Sequence, residues 1–301
     1  MSTTAASATS ASRPLLPRRG TTTVHVPPVV RAAFAALGFV APGAAAALFE
    51  RVFFTPPLPR RSSGEPILAS ARRVAVSLEG RPVAAWQWGA GPAILLVHGW
   101  GGQAAQLSAV VAPLLAAGYS VVGFDGPGHG RSGRMKSSVV QLARAIRAVS
   151  DEVGGVTGVV AHSLGAAATA LAMRDGLDPR RVVFLAPVAD PISWIPAAAA
   201  SFGLGPRVMA RVQARTEKRL RFQWDGIRVP ELAAHFDAAL LVIHDRDDPD
   251  VPVRNGVEIT EGWAGSQLTV TTGLGHNRLL RHPDVVSRTV AFLATTSTAG
   301  Q

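Results

Sequence analysis

The sequence predicts an α/β fold: a mostly parallel sheet with antiparallel N-terminal strands, helices on both faces and a small helical cap. Two observations carry this. Short runs apolar at every position, such as Ala93–Val97, Val121–Phe124, Val182–Leu185 and Ala239–Ile243, alternate with helix-length segments. Strands with no polar alternation are buried on both faces, as in parallel sheets. Ahead of them, Val74–Leu78 and Val83–Trp88 flank the turn Glu79-Gly80-Arg81-Pro82, the pattern of a hairpin.

Composition limits the rest. A chain of 301 residues, 48% hydrophobic, supports one large core with a tail and an insertion. The absence of cysteine excludes disulfides, thiolate zinc sites and a cysteine nucleophile. The net charge of +10 raises nucleic acid as a partner. The arginines are scattered and form no recognition motif, so no nucleic-acid partner is expected.

Taken in order, residues 1–30 are rich in Ser, Thr, Ala and Pro, and the first acidic residue of the chain is Glu50. A disordered tail is expected, with a targeting peptide as the alternative. Cytoplasmic localisation is the matching expectation; targeting or membrane association through this basic segment is the other. Residues 31–71 read as a helical extension and linker. The uncharged run Ala32–Phe49 is interrupted by Gly38, Pro42 and Gly43. It is too broken for a membrane span, and it reads as two helices packed on the body. Peripheral membrane contact through Phe34, Phe39, Phe49, Phe53 and Phe54 is the competing reading. Thr55–Pro66 reads as a linker.

The core is expected over 72–189 and 237–296. After the hairpin come a strand at Ala93–Val97, a helix at Ala104–Ala117, a strand at Val121–Phe124, and a helix through Val139–Val149. The strand Val156–Ala161 follows, then a helix at Ala166–Met173, and the strands at Val182–Leu185 and Ala239–Ile243. A helix near Val253–Trp263, a strand at Leu268–Thr271 and a helix at Pro283–Leu293 complete it. Residues 190–236 break the alternation and read as a helical cap with apolar Trp194, Phe202, Leu204, Met209 and Trp224. Arg207, Arg211, Arg215 and Arg219 recur every fourth residue, one stripe on a helix. It is either a solvated face or a rim that attracts anionic substrates or an acidic partner.

Ala161-His162-Ser163-Leu164-Gly165 joins an apolar strand to an alanine-rich helix. A sharp strand-to-helix turn with small outer residues exposes one hydroxyl, the layout of a nucleophile elbow. An ordinary serine N-cap is the competing explanation. Ligand sites of such sheets lie beyond the carboxyl ends of the strands. Three other such ends carry His98-Gly99-Trp100, the run Asp245-Arg246-Asp247-Asp248-Pro249-Asp250, and Gly273-Leu274-Gly275-His276. In chain order these supply a nucleophile, an acid and a histidine. A serine needs a base, and the base needs a carboxylate to fix its tautomer.

Two rival patterns fail. Gly128-His129-Gly130-Arg131-Ser132-Gly133 matches a dinucleotide fingerprint, but the acidic pair Asp151-Glu152 precedes the next strand rather than ending it. The aspartate run lacks the glycine and glutamate of a calcium loop.

With Val97-His98-Gly99-Trp100, Phe124-Asp125-Gly126-Pro127-Gly128-His129-Gly130-Arg131-Ser132, the elbow, and the Asp…Gly-His ending in this order, the sequence resembles the α/β-hydrolase family from about Arg72 to Leu293. The resemblance implies Ser163 as nucleophile, His276 as base and Asp248, which lies four residues before Pro252, as orienter. Asp247, Asp245 and Asp250 are neighbouring alternatives, and Asp190 is the alternative after another strand. It implies an oxyanion hole from the N–H groups of Trp100 and Leu164, no cofactor, and a small-molecule acyl substrate. His98 and His129 are expected to be structural, and His162 replaceable. His25, His235, His244 and His282 are given no catalytic part. Hydrolysis of a carboxylic ester or related acyl bond is the expected activity. The alternative is a non-catalytic protein of this fold that binds a small ligand or partner.

Overall fold

The computed structural model describes residues 26–57 and 64–295. The strands are β1 (Arg72–Leu78), β2 (Arg81–Trp88), β3 (Ala93–Val97), β4 (Ser120–Phe124), β5 (Gly158–His162), β6 (Arg181–Leu185), β7 (Ala239–Asp245) and β8 (Gln267–Thr271). They form one sheet in the order β1-β2-β4-β3-β5-β6-β7-β8. β1 and β2 pair antiparallel, β2 meets β4 antiparallel, and the remaining pairs are parallel. Strand order reverses between β3 and β5, so a crevice opens beyond their carboxyl ends.

The helices are α1 (Pro28–Val40), α2 (Pro42–Phe53), α3 (Val111–Ala116), α4 (Val139–Glu152), α5 (Leu164–Arg174), α6 (Trp194–Ser201) and α7 (Pro206–Leu220). They continue with α8 (Val229–Ala233), α9 (Arg254–Gly262), α10 (Gly275–Arg278) and α11 (Pro283–Ala294). Alternate residues of each central strand feed opposite cores. Leu95, Val97, Val159, Ala161, Val182 and Phe184 point to the face covered by α4, α5, α8 and α9. Ile94, Leu96, Val160, Val183 and Leu185 point to the face covered by α3, α11 and a 3₁₀ turn at Ala104–Val110. The single helix expected over Ala104–Ala117 is therefore split. Pro113, which has no N–H to give, falls in the first turn of α3, where none is needed.

The chain before β1 departs from expectation. The tail expected for 1–30 ends sooner, because α1 starts at Pro28; residues 1–25 lie outside the described residues, as do 58–63 of the linker. The helices do break at Pro42-Gly43, but their partner is the cap rather than the body of the sheet. Phe34, Ala45, Ala46, Phe49 and Phe54 form one cluster with Ile195, Ala199, Phe202, Leu204, Val208 and Val212 of the insertion. Phe34 and Phe49 meet Phe202 edge-on at 4.8 and 5.7 Å. Of the five aromatics in the competing membrane reading, Phe34, Phe49 and Phe54 are buried and Phe53 is half-buried. Phe39 alone is exposed.

Glu50 pins this arrangement. It is buried, and its carboxylate receives the Nε donors of Arg215 and Arg219 from α7 at 3.0 Å each, with Lys136 Nζ at 3.7 Å. Half of the arginine stripe is thus tied to a buried carboxylate, although the Arg215 side chain stays 48% exposed. A buried carboxylate holds its charge only with such partners. Beyond α2 the chain is tied to the core by the N–H of Ser137 donating to the Phe54 carbonyl at 2.7 Å.

Candidate active site

Ser163 sits at the bend between β5 and α5 with φ 54° and ψ −121°. A left-handed φ at a non-glycine residue costs roughly 1–3 kcal/mol and persists only where the surroundings impose it. Gly165 is one such constraint. A Cβ there would lie 2.7 and 2.9 Å from the carbonyl oxygens of His98 and Val97. Ala161 is fully buried between Val97 and Phe184 in the sheet register, so its methyl fits where glycine is usual.

Three side chains converge. His276 Nε2 is 3.0 Å from Ser163 Oγ, and His276 Nδ1 is 2.7 Å from Asp248 Oδ2. One tautomer satisfies both contacts: Nδ1–H donates to the carboxylate and Nε2 accepts from the hydroxyl. The other Asp248 oxygen accepts the N–H groups of Asp250 and Val251, each at 2.8 Å. Burial disfavours the Asp248 anion. The hydrogen bonds from His244 and His276, the charge of His276 and the Val251 N–H outweigh it, so the carboxyl lies well below its usual range.

The other aspartates have different work. Asp245 Oδ2 accepts from Thr271 Oγ1 at 2.7 Å and from the Leu274 N–H at 3.0 Å, and Asp247 Oδ2 accepts the Gly273 N–H at 3.0 Å. Together they shape the glycine turn that presents His276. Asp190 accepts the N–H groups of Ile192 and Ser193 at the root of the cap. Asp248, Asp250 and His276 offer ligand atoms within 4.8 Å of one another. The hydrogen bond between Asp248 and His276 accounts for that closeness without an ion.

Two histidines support the three in ways sequence reasoning missed. His162 Nε2–H donates to the His276 carbonyl at 3.1 Å, and the rings lie 4.6 Å apart. His244 Nε2–H donates to the Val251 carbonyl at 2.9 Å and lies 3.5 Å from Asp248 Oδ2. Neither role has a local signature, because each contact joins distant strand ends. His98 is structural as expected: its Nε2 accepts the Gly126 N–H at 2.8 Å and its Nδ1–H donates to the Gly99 carbonyl at 2.7 Å. His129 Nδ1–H donates to the Pro127 carbonyl at 2.9 Å. The would-be dinucleotide loop folds around Asp125, whose two oxygens take the N–H groups of Ala104 and Arg131.

Burial holds three of these histidines neutral. It pushes His98 down to about 4, His129 to about 3 and His162 to about 3; for His162 the charge of His276 adds to it. The unfolded chain takes up protons from pH 6.5 downward, and the folded chain does so only near 4 and 3. The stability they contribute is therefore present above pH 6.5 and lost as pH falls from there towards 4. Asp125, raised by burial, offsets part of this loss. The expected cost is about 1.4 kcal/mol per pH unit for each histidine. A melting-temperature series between about pH 7 and 5 checks it, and His162→Gln should flatten the slope by about a third.

The loop after β3 closes on the serine. A Cβ at Gly99 would lie 2.8 Å from Ser163 Cβ and 3.3 Å from the His162 carbonyl. Gly99→Ala is therefore expected to displace the hydroxyl while the sheet stays intact. A shift approaching 1 Å lowers kcat by about a hundredfold, and steady-state kinetics with an unchanged circular dichroism spectrum would show it.

Ser163 opens into a cavity of ≈ 860 Å³ under the cap. Phe53, Phe54, Trp194, Ile195, Phe222 and Trp224 give it an apolar wall; Asp190, Arg228, Arg254 and Glu258 give it a charged end. Trp100 and Leu164, beside the serine, also line it. None of Arg207, Arg211, Arg215 and Arg219 lines it. Phe53 ends α2 and Phe54 follows it, in a segment sequence reasoning placed outside the site.

The switch-point crevice, the serine elbow and the imidazole beside it define a hydrolase built on a doubly covered sheet. The chain belongs to the alpha/beta hydrolase family, whose model matches residues 94–289. Among solved structures, an esterase from a Rhodococcus species is 22% identical, with TM-score 0.56, covering 75% of this chain and 99% of its own. A putative lipase from Acinetobacter baumannii is 17% identical, with TM-score 0.58, covering 78% and 96%. The 2-hydroxy-6-oxo-6-phenylhexa-2,4-dienoate hydrolase of a Rhodococcus strain is 18% identical, with TM-score 0.55, covering 74% and 97%. Among curated proteins there is no sequence match to the chain. Among the described residues no helix is long and apolar enough to cross a membrane.

Proposed function

We propose that the protein is a serine hydrolase that cleaves a carboxylic ester through an acyl-enzyme on Ser163. The observation that carries this is the continuous chain Ser163 Oγ, His276 Nε2, His276 Nδ1, Asp248 Oδ2, with links of 3.0 and 2.7 Å. Ser163 Oγ attacks the acyl carbon as its proton passes to His276 Nε2, and Asp248 steadies the imidazolium. The tetrahedral oxyanion takes the N–H of Leu164, at the positive end of α5, and that of Trp100. Collapse expels the alcohol, which leaves with the proton from Nε2. Water then attacks the acyl-enzyme by the same route and frees the acid.

The apolar wall of the cavity supports an acyl group of medium length as the part bound under the cap. Treatment of the whole protein with a fluorophosphonate tests the reading. The peptide that contains Ser163 should gain one phosphonyl group, and a protein left unmodified would overturn it. A series of p-nitrophenyl esters of graded chain length then places the acyl preference.

A further inference from the structure

The outer face of the N-terminal helical pair has no partner among the described residues. α1 is apolar nearly all round, the habit of a buried helix. Only its inner stripe is covered: Phe34 packs on Phe202, and Gly38 lies against Val208 and Leu204. Its outer stripe faces solvent, with Val29 80%, Phe39 91% and Val40 80% exposed. α2 continues the surface with Leu48 at 41% and Val52 at 47%.

The exposed charges of the pair itself have one sign. Arg31 and Arg51 are the exposed charges of the pair, and its one acidic residue, Glu50, is buried and neutralised by three cations. The stripe on α7 runs from Glu50 back towards the tip of the pair, since Val208 touches Gly38 next to Phe39. Its leading members, Arg207 and Arg211, are exposed. An apolar helical pair that carries arginines and no exposed carboxylate of its own suits anionic headgroups over shallow acyl chains. A second copy would bring arginine against arginine.

We propose that this helical pair docks the protein on an anionic lipid surface, with Phe39 and Val40 inserted and Arg31, Arg51, Arg207 and Arg211 at headgroup level. It corrects the residue set that sequence reasoning offered for membrane contact, of which only Phe39 survives. α2 ends in Phe53 with Phe54 as its cap, so docking would place the lipid surface beside the wall of the cavity that holds Ser163. The docking does not depend on the chemistry proposed for Ser163.

Flotation of the full chain tests it, with phosphatidylcholine vesicles carrying about a quarter phosphatidylglycerol and with pure phosphatidylcholine vesicles. The protein should rise with the anionic vesicles and less with the neutral ones. The double variant Phe39→Asp, Val40→Asp should lose about tenfold in partition. Both positions are solvent-exposed, so the variant should keep its melting temperature and its turnover of a soluble ester. A wild type that fails to float overturns the proposal. So does a double variant that floats equally well, which would assign the attraction to charge elsewhere. A wild type that is a dimer in light scattering, and that the double variant returns to monomer without any flotation, would assign the face to a second copy instead.

Discussion

Ser163→Ala is expected to lower kcat for ester hydrolysis by about 10⁴ to 10⁶ while KM changes little, the size seen when a unit of coupled catalytic groups loses its nucleophile. The change removes one oxygen from a 9% exposed side chain. No packing is lost, and an alanine at φ 54° is no more strained than the serine it replaces. The hydroxyl's hydrogen bond is the one it gives to His276 Nε2. The melting temperature should hold or rise slightly as a result. The cavity, its charged end and the N–H groups of Leu164 and Trp100 remain, so the variant should still bind substrate and retain a small rate above background. Kinetics together with loss of phosphonylation make the check. Retained turnover in Ser163→Ala would sink the acyl-enzyme.

Asp248→Asn should cost nearly as much, about 10⁴ in kcat, the size that follows when a triad imidazole is held in the wrong tautomer. The surroundings dictate how the carboxamide would lie. The Asp248 oxygen that accepts from Asp250 and Val251 sits between two N–H donors, so an amide oxygen belongs there. The amide NH₂ then faces His276 Nδ1, which must become the acceptor. The ring proton moves to Nε2, and the ring no longer accepts from Ser163. Volume is conserved, so folding should survive. A loss below about tenfold would move the orienting role to another acid; Asp245, fully engaged in shaping the 271–275 turn, is poorly placed to take it.

Much of this architecture is legible in the sequence because the central strands are short, apolar on both faces and spaced by helix-length segments, the pattern of a parallel sheet. The reactive groups are legible because strand ends concentrate them: His98 to Trp100, Ser163, Asp248 and His276 each follow a strand within a few residues. Other features lack a local signal. α1 is so uniformly apolar that no period marks its inner face, so the choice of Phe34 and not Phe39 for the core is made by the cap and α2 together. Phe53 and Phe54 reach the cavity only because α2 packs on the cap. His162 and His244 look ordinary in sequence, since their partners are a carbonyl at position 276 and a turn at 248–251. Glu50 did leave a trace: a solitary carboxylate at the end of a long uncharged stretch has to find cations when that stretch is buried.

The junction at Glu50 also bears on where this chain can be cut. The family match begins at residue 94, and β1 at Arg72 is an inviting place to start a shorter protein. Such a chain would keep every group proposed for the chemistry. It would nevertheless strip the shelter from Phe202, Leu204, Val208 and Val212, leave Arg215 and Arg219 without their counter-ion, and open one side of the substrate chamber to water. The stretch that looks most like a dispensable leader is a piece of the roof, and versions that lack it should clump or lose the chain-length preference proposed for the cavity.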